Sequence, residues 1–191
     1  NEAWFFHTPG LKIVFPSTPY EAKGLLNAAI EDPNPVMVFE HKFLYRSIRE
    51  DIPDDYYTVE IGKARTVSEG SDLTIVTYGL GVHWAKEYAE NHTDLSIEIL
   101  DLRTLLPLDT EAIYDAVRKT GRVIVLHEDC MTGGIGGELV ALISENCFEA
   151  LDAPVKRVAS LDTPVPFAGQ LEQQFLPKAR LSEAIDAVMQ Y

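Results

Sequence analysis

The stretch Leu73-Thr74-Ile75-Val76-Thr77-Tyr78-Gly79-Leu80-Gly81-Val82-His83-Trp84-Ala85 decides the fold, because an apolar, β-branched run passes through a glycine turn into apolar residues at helical spacing. It reads as a strand over Leu73 to Tyr78 followed by a helix over Val82 to Glu90. The same alternation continues downstream. Strands are expected at Ile97 to Leu100, Val123 to Leu126 and Val155 to Ala159, and helices at Thr110 to Lys119, Glu138 to Phe148 and Leu181 to Met189. Such strict alternation implies crossover connections and a largely parallel sheet with helices on both faces. Asp109 is placed to cap the helix beginning at Thr110, and Gly121 to end it in the left-handed conformation.

Working upstream, the run of acidic residues and prolines from Arg49 to Tyr57 has no periodicity and marks the domain boundary, with residues 1–55 on one side and 56–191 on the other. Before it, Lys12 to Phe15 reads as a short strand. Thr18 and Glu21 then stand at capping-box spacing with Pro19 at the first helical position. The helix that follows should present Ala22, Leu25, Leu26, Ala29 and Ile30 to a sheet and stop at Asp32-Pro33-Asn34-Pro35, after which Val36 to Phe39 forms a strand. Asn1 to Pro9 is aromatic (Trp4, Phe5, Phe6) without a turn or cap, as expected of a chain cut in mid-domain. The expected architecture is α/β, a mostly parallel sheet covered on both faces plus a truncated α/β piece at the N-terminus.

The chain of 191 residues carries 16 Lys plus Arg against 30 Asp plus Glu, a net charge of −14, which repels nucleic acid and anionic membranes and favours a protein partner. No apolar stretch approaches the roughly 20 residues needed to span a bilayer, and no signal peptide opens the chain, so a cytoplasmic location is expected. The two cysteines, Cys130 and Cys147, are expected to be reduced.

Gly79-Leu80-Gly81 and Gly133-Gly134-Ile135-Gly136-Gly137 both lie between a strand and a helix, where backbone amides could cradle a phosphate. Trp84 and Leu139 stand where a dinucleotide fingerprint needs glycine, and neither loop has the Lys-Ser/Thr of a P-loop, so tight turns are the preferred reading. His127-Glu128-Asp129-Cys130 closes a strand at the end where parallel sheets place their chemistry. A His beside a carboxylate can shuttle protons. The pair His127 and Glu128 is the one catalytic candidate, with structural or interface use favoured over direct catalysis. Zincin spacing would need His where Met131 stands, and no Gly-x-Ser-x-Gly elbow exists. Asp101-Leu102-Arg103 could form a local ion pair at a solvated strand end.

Several strings resemble the beta subunit of the pyruvate and branched-chain 2-oxo acid dehydrogenases, within the transketolase-like superfamily. They are His7-Thr8-Pro9-Gly10-Leu11-Lys12, Pro16-Ser17-Thr18-Pro19-Tyr20-Glu21-Ala22-Lys23-Gly24-Leu25-Leu26, Leu44-Tyr45-Arg46, Asp101-Leu102-Arg103-Thr104-Leu105-Leu106-Pro107-Leu108-Asp109, Lys119-Thr120-Gly121-Arg122 leading to His127-Glu128, and Leu161-Asp162-Thr163-Pro164-Val165-Pro166-Phe167. The resemblance implies that residues 1–55 are the last part of a pyrimidine-binding domain and 56–191 a transketolase C-terminal domain. It implies thiamine diphosphate with Mg in the intact enzyme, decarboxylation of a 2-oxo acid, and transfer of the acyl unit to lipoyl. The family's activating glutamate and catalytic histidine segment lie upstream of the match, so no cofactor-binding residue is expected in this stretch, which should be inactive alone. A potassium site is implied at Ala29, Asp32 and Asn34. Implied partners are an alpha subunit or alpha-like region, a second beta subunit and the dihydrolipoyl acyltransferase core, through interfaces this stretch would help build. The residues around Trp4 to Phe6 and Val36 to Phe39 are expected to leave an apolar edge that drives self-association. An acetoin-cleaving relative and a nucleotide-binding or flavodoxin-like domain are the alternatives.

Overall fold

A computed structural model describes residues 2–191. In chain order the elements are α1 (Glu2–Phe6), β1 (Lys12–Val14), α2 (Pro19–Glu31), β2 (Val36–Val38), α3 (Leu44–Ser47), β3 (Arg65–Ser68), β4 (Leu73–Thr77), α4 (Leu80–Asn91), β5 (Ile97–Asp101), β6 (Thr104–Leu106), α5 (Thr110–Thr120), β7 (Val123–Cys130), α6 (Gly136–Cys147), β8 (Lys156–Ser160), α7 (Gly169–Phe175) and α8 (Leu181–Met189). They build a five-stranded sheet of order β3-β5-β4-β7-β8 and a three-stranded sheet of order β2-β1-β6. In the larger sheet β5, β4, β7 and β8 run parallel, and only the edge strand β3 is antiparallel.

Two-residue periodicity sorts the larger sheet's side chains onto two faces. Leu73, Ile75, Ile97, Ile99, Ile124 and Leu126 pack with Trp84 and Ala85 of α4 and Leu181, Ile185 and Val188 of α8. Val76, Leu100, Val123 and Val125 pack with Ile113 and Val117 of α5 and Leu139 and Ile143 of α6. Ile13 and Phe15 from the β1 segment join the second cluster, so the small sheet and the large one share a core. Burying each of these aliphatic side chains contributes ~1.5–3 kcal/mol.

The helix signals read from the sequence act as expected at two sites. Asp109 accepts from Ala112 N–H, and Gly121 adopts φ +67 at the end of α5. Thr18 accepts from Glu21 N–H at 3.2 Å. The reciprocal half of that capping box is displaced by one residue, because the Glu21 carboxylate accepts from Ser17 N–H at 3.0 Å.

The expected apolar face of α2 is only half buried. Leu25 is enclosed with Val14 and Val59, whereas Leu26 and Ile30 are exposed. The small sheet covers one side of the helix, and the irregular segment after residue 49 covers the next: Val59 N–H donates to Gly24 carbonyl at 3.0 Å, and a Cβ on Gly24 would lie 2.5 Å from Val59 Cγ2. The aromatic N-terminus also differs from expectation. It forms the short helix α1, with Phe5 and Phe6 packed against the core and Trp4 exposed.

Gly70 marks the closest approach of a loop to the large sheet, since a Cβ there would stand 2.2 Å from the backbone nitrogen of Glu98. Gly70→Ala should therefore lower stability by ~2 kcal/mol through overpacking. Gly169→Ala, where a Cβ meets nothing within 4 Å, should leave stability unchanged or raise it by ~0.5 kcal/mol. Urea denaturation of both variants checks the contrast.

Candidate functional site

β4 and β7 lie side by side, and Tyr78, just past the end of β4, stacks on His127, within β7 where its pairing with β4 ends, with centroids 6.5 Å apart and planes 7° from parallel. His127 is completely buried. The glycine loop before α6 forms its roof: a Cβ on Gly134 would come within 2.7 Å of His127 Cε1, and one on Gly136 within 2.4 Å of Nε2. The bare glycines are needed for the imidazole to fit, which leaves no room there for a phosphate. Among the described residues neither ring nitrogen has a hydrogen-bond partner. Burial pushes the His127 pKa below its ordinary value, so the ring stays neutral.

The neighbouring residue points elsewhere, as successive residues on a strand must. Glu128 Oε2 lies 2.7 Å from His41 Nε2, and the Glu128 carbonyl accepts from Ser160 Oγ. His127 and Glu128 therefore do not form the strand-end pair expected from the sequence. His41, brought across from the segment after β2, takes the carboxylate instead. Nothing in the sequence pattern announces His41, because tertiary packing alone brings it there.

Beside that contact a cleft of about 430 Å³ opens between the N-terminal elements and the strand ends. Its aromatic wall is Phe15, Phe39 and Tyr78, with Phe15 centroids 5.9 Å from Phe39 and 5.2 Å from Tyr78. Tyr78 donates to Glu2 Oε1 at 2.6 Å, and burial next to that carboxylate raises the phenol well above its usual value. Cys130 also lines the cleft, and burial followed by Asp129 pushes its thiol up, the opposite of an activated nucleophile. Among the described residues that line the cleft, five are carboxylates (Glu2, Glu40, Glu128, Asp129 and Glu172) and one is a lysine, Lys42. A diphosphate would be repelled by this lining, so these residues do not fit the phosphate end of a thiamine cofactor.

The three positions considered for potassium meet at the end of α2. The Ala29 carbonyl has no helical donor, since the residue four positions on is Pro33. Asp32 Oδ1 accepts from Asn34 N–H at 2.9 Å and from Asn34 Nδ2 at 3.0 Å. Asp32 Oδ2 pairs with Lys12 Nζ, and that ammonium above all holds the carboxyl down to about 2. The aspartate is already neutralised by a lysine, so the described residues do not by themselves fit an alkali cation.

Comparison with known proteins gives a consistent set of matches. The transketolase C-terminal domain profile matches residues 62–180 and the transketolase pyrimidine-binding domain profile residues 1–47. The 2-oxoisovalerate dehydrogenase subunit beta of Bacillus subtilis is 51% identical over 92% of this chain and 54% of its own length. The pyruvate dehydrogenase E1 component subunit beta of the same organism is 48% identical over 88% of this chain and 52% of its own. The chain thus spans about half the length of the curated relatives it matches. A solved structure described as a split gene transketolase, inactive beta4 tetramer, superposes with a TM-score of 0.80 at 23% identity, covering 98% of this chain and 60% of that one. At that identity the likeness speaks for the fold.

A histidine kept neutral in the fold but free to protonate when unfolded adds stability above its unfolded pKa of about 6.5. That stability is lost as pH falls below this value. Denaturation between pH 8 and pH 5 should show a decline of up to ~1 kcal/mol per pH unit attributable to His127. His127→Phe should flatten that decline relative to the parent.

Proposed function

The chain belongs to the transketolase C-terminal domain family, and on that premise we propose that it is part of the beta subunit of a thiamine-diphosphate-dependent 2-oxo acid dehydrogenase, acting on pyruvate or a branched-chain 2-oxo acid. The observation that carries the reading is the collinear similarity, 51% and 48% identity over most of the chain, to subunits named for those two substrates. When bound in the intact enzyme, the cofactor supplies the carbanion chemistry of decarboxylation. This stretch supplies a rigid scaffold and subunit interfaces. The closed strand ends over His127 and the carboxylate-lined cleft support a positioning role rather than a proton-transfer role.

The proposal divides the chain into part of a pyrimidine-binding domain over 1–55 and a transketolase C-terminal domain over 56–191. Its partners are an alpha subunit or alpha-like region, a second beta subunit and a dihydrolipoyl acyltransferase core. The exposed apolar residues of α2 support the subunit contacts, and the net charge of −14 supports a basic docking partner. Magnesium accompanies the diphosphate in this reading. Potassium near Ala29, Asp32 and Asn34 belongs to this reading only where Asp32 gives up Lys12 and further ligands come from outside these residues; the missing helical donor to the Ala29 carbonyl is what supports it. A cytoplasmic setting is supported by the two free cysteines. No helix among the described residues is long and apolar enough to cross a membrane.

The test is assembly of the intact subunit with its alpha partner, followed by thiamine-diphosphate-dependent decarboxylation of pyruvate and 2-oxoisovalerate, read as carbon dioxide release. Turnover of at least one substrate is expected. An assembly that forms and decarboxylates neither overturns the reading, and one that cleaves acetoin instead identifies the acetoin-cleaving relative.

A further inference from the structure

Ser17 and Glu21, on the segment from β1 into α2, meet Asp101 at the end of β5. Glu21 is 1% exposed and Asp101 fully buried. Ser17 Oγ lies 2.6 Å from Asp101 Oδ2 and 2.9 Å from Glu21 Oε2. A hydroxyl has one hydrogen and can point it at one of these oxygens only. With both acids ionised, the other contact would set two lone pairs against each other at hydrogen-bond distance, in a site buried from solvent.

The surrounding charges favour Glu21 as the ionised member. Arg65, from β3, holds its Nε 2.9 Å from Glu21 Oε1, while its Nη2 remains 3.6 Å from Asp101 Oδ2. Arg103, at the corner between β5 and β6, approaches Glu21 Oε1 only to 3.9 Å, because its guanidinium donates to the carbonyls of Lys63 and Ala64. Glu21 Oε2 also accepts the Ser17 N–H. Asp101 receives a single backbone donor, Arg103 N–H at 3.1 Å. From α4, His83 Nε2 reaches the Ser17 carbonyl at 2.7 Å and fixes the serine from the far side.

We propose that Asp101 carries a proton and donates it to Ser17 Oγ, which in turn donates to ionised Glu21, making this buried chain a pH-sensitive clasp between the small sheet and the large one. Asp101 acts here as a positioning residue of the fold. Burial first, and the neighbouring Glu21 second, push its carboxyl up to about 7, which agrees with the geometry. A carboxyl whose folded value is raised stabilises the fold fully below its unfolded value, ~3.9. That contribution is lost progressively as pH rises to about 7.

Infrared difference spectra of the intact protein, parent minus Asp101→Asn, provide the direct readout. A protonated-carboxyl carbonyl band is expected at pH 6 and not at pH 8.5. Between pH 5 and pH 8 the parent should lose roughly 5 °C more in melting temperature than Asp101→Asn, whose amide can still donate to Ser17. Glu21→Gln gives an independent arm should the asparagine variant fail to fold: removing the second carboxylate takes away one of the two causes that hold the proton on Asp101, so the band should fade at a lower pH than in the parent. A parent without a pH-dependent carboxyl band, or with one unchanged by Glu21→Gln, overturns the proposal.

Discussion

Everything in this molecule depends on one corner of the backbone, residues 101 to 104, where the chain leaves the large sheet and enters the small one. Arg103 turns that corner with φ +52, a conformation that a residue with a side chain enters at a cost of ~1–2 kcal/mol. The surroundings hold it there. Its N–H donates to Asp101 Oδ1, its carbonyl accepts from Phe15 N–H at 2.7 Å, and its guanidinium donates to the carbonyls of Lys63 and Ala64 in the segment before β3. Because the turn is held from three sides, Thr104 to Leu106 arrive antiparallel to β1 and close the small sheet. Without it Ile13 and Phe15 would lose their place in the core they share with Val76 and Leu100.

The parts of this architecture that were legible in the sequence are those whose causes are local. β4, β5, β7 and β8 announce themselves through β-branched runs, and α5 through the Asp109 cap and the Gly121 stop. β3 and β6 were missed because neither carries a signal of its own. Arg65 to Ser68 is polar and pairs only at an edge, and Thr104 to Leu106 is a three-residue strand created by the corner before it. The outward turn of Leu26 and Ile30 was equally hidden, since helical spacing tells which residues share a side and not how wide the covering sheet is.

The strand-end site shows the same division. Its place was legible, because parallel strands converge there, and so was the importance of the glycine loop. Its chemistry was not. The glycines could have cradled a phosphate or made space for a neighbour, and only the position of the His127 ring decides between them. Once the ring occupies that space without a partner for either nitrogen, a charged imidazolium becomes expensive, and the residue turns from a proton carrier into a packing element. The polar work passes to His41 and Glu128, which meet at the edge of the cleft.

Two aspartates make the general point. Asp32 and Asp101 are chemically identical, and each lies next to a cation in the chain's three-dimensional arrangement. Asp32 closes on Lys12 and two Asn34 donors and is held near 2, whereas Asp101 is fully buried with one backbone donor and a second carboxylate across a serine, and rises to about 7. The difference comes from the count of donors against the loss of water, neither of which a sequence motif encodes. The Asp101-Leu102-Arg103 string invited an ion pair between its own ends. The fold uses the arginine's backbone to serve the aspartate and its guanidinium to tie down another loop, and so leaves the acid with Arg65 Nη2 at 3.6 Å in place of the cation two residues away.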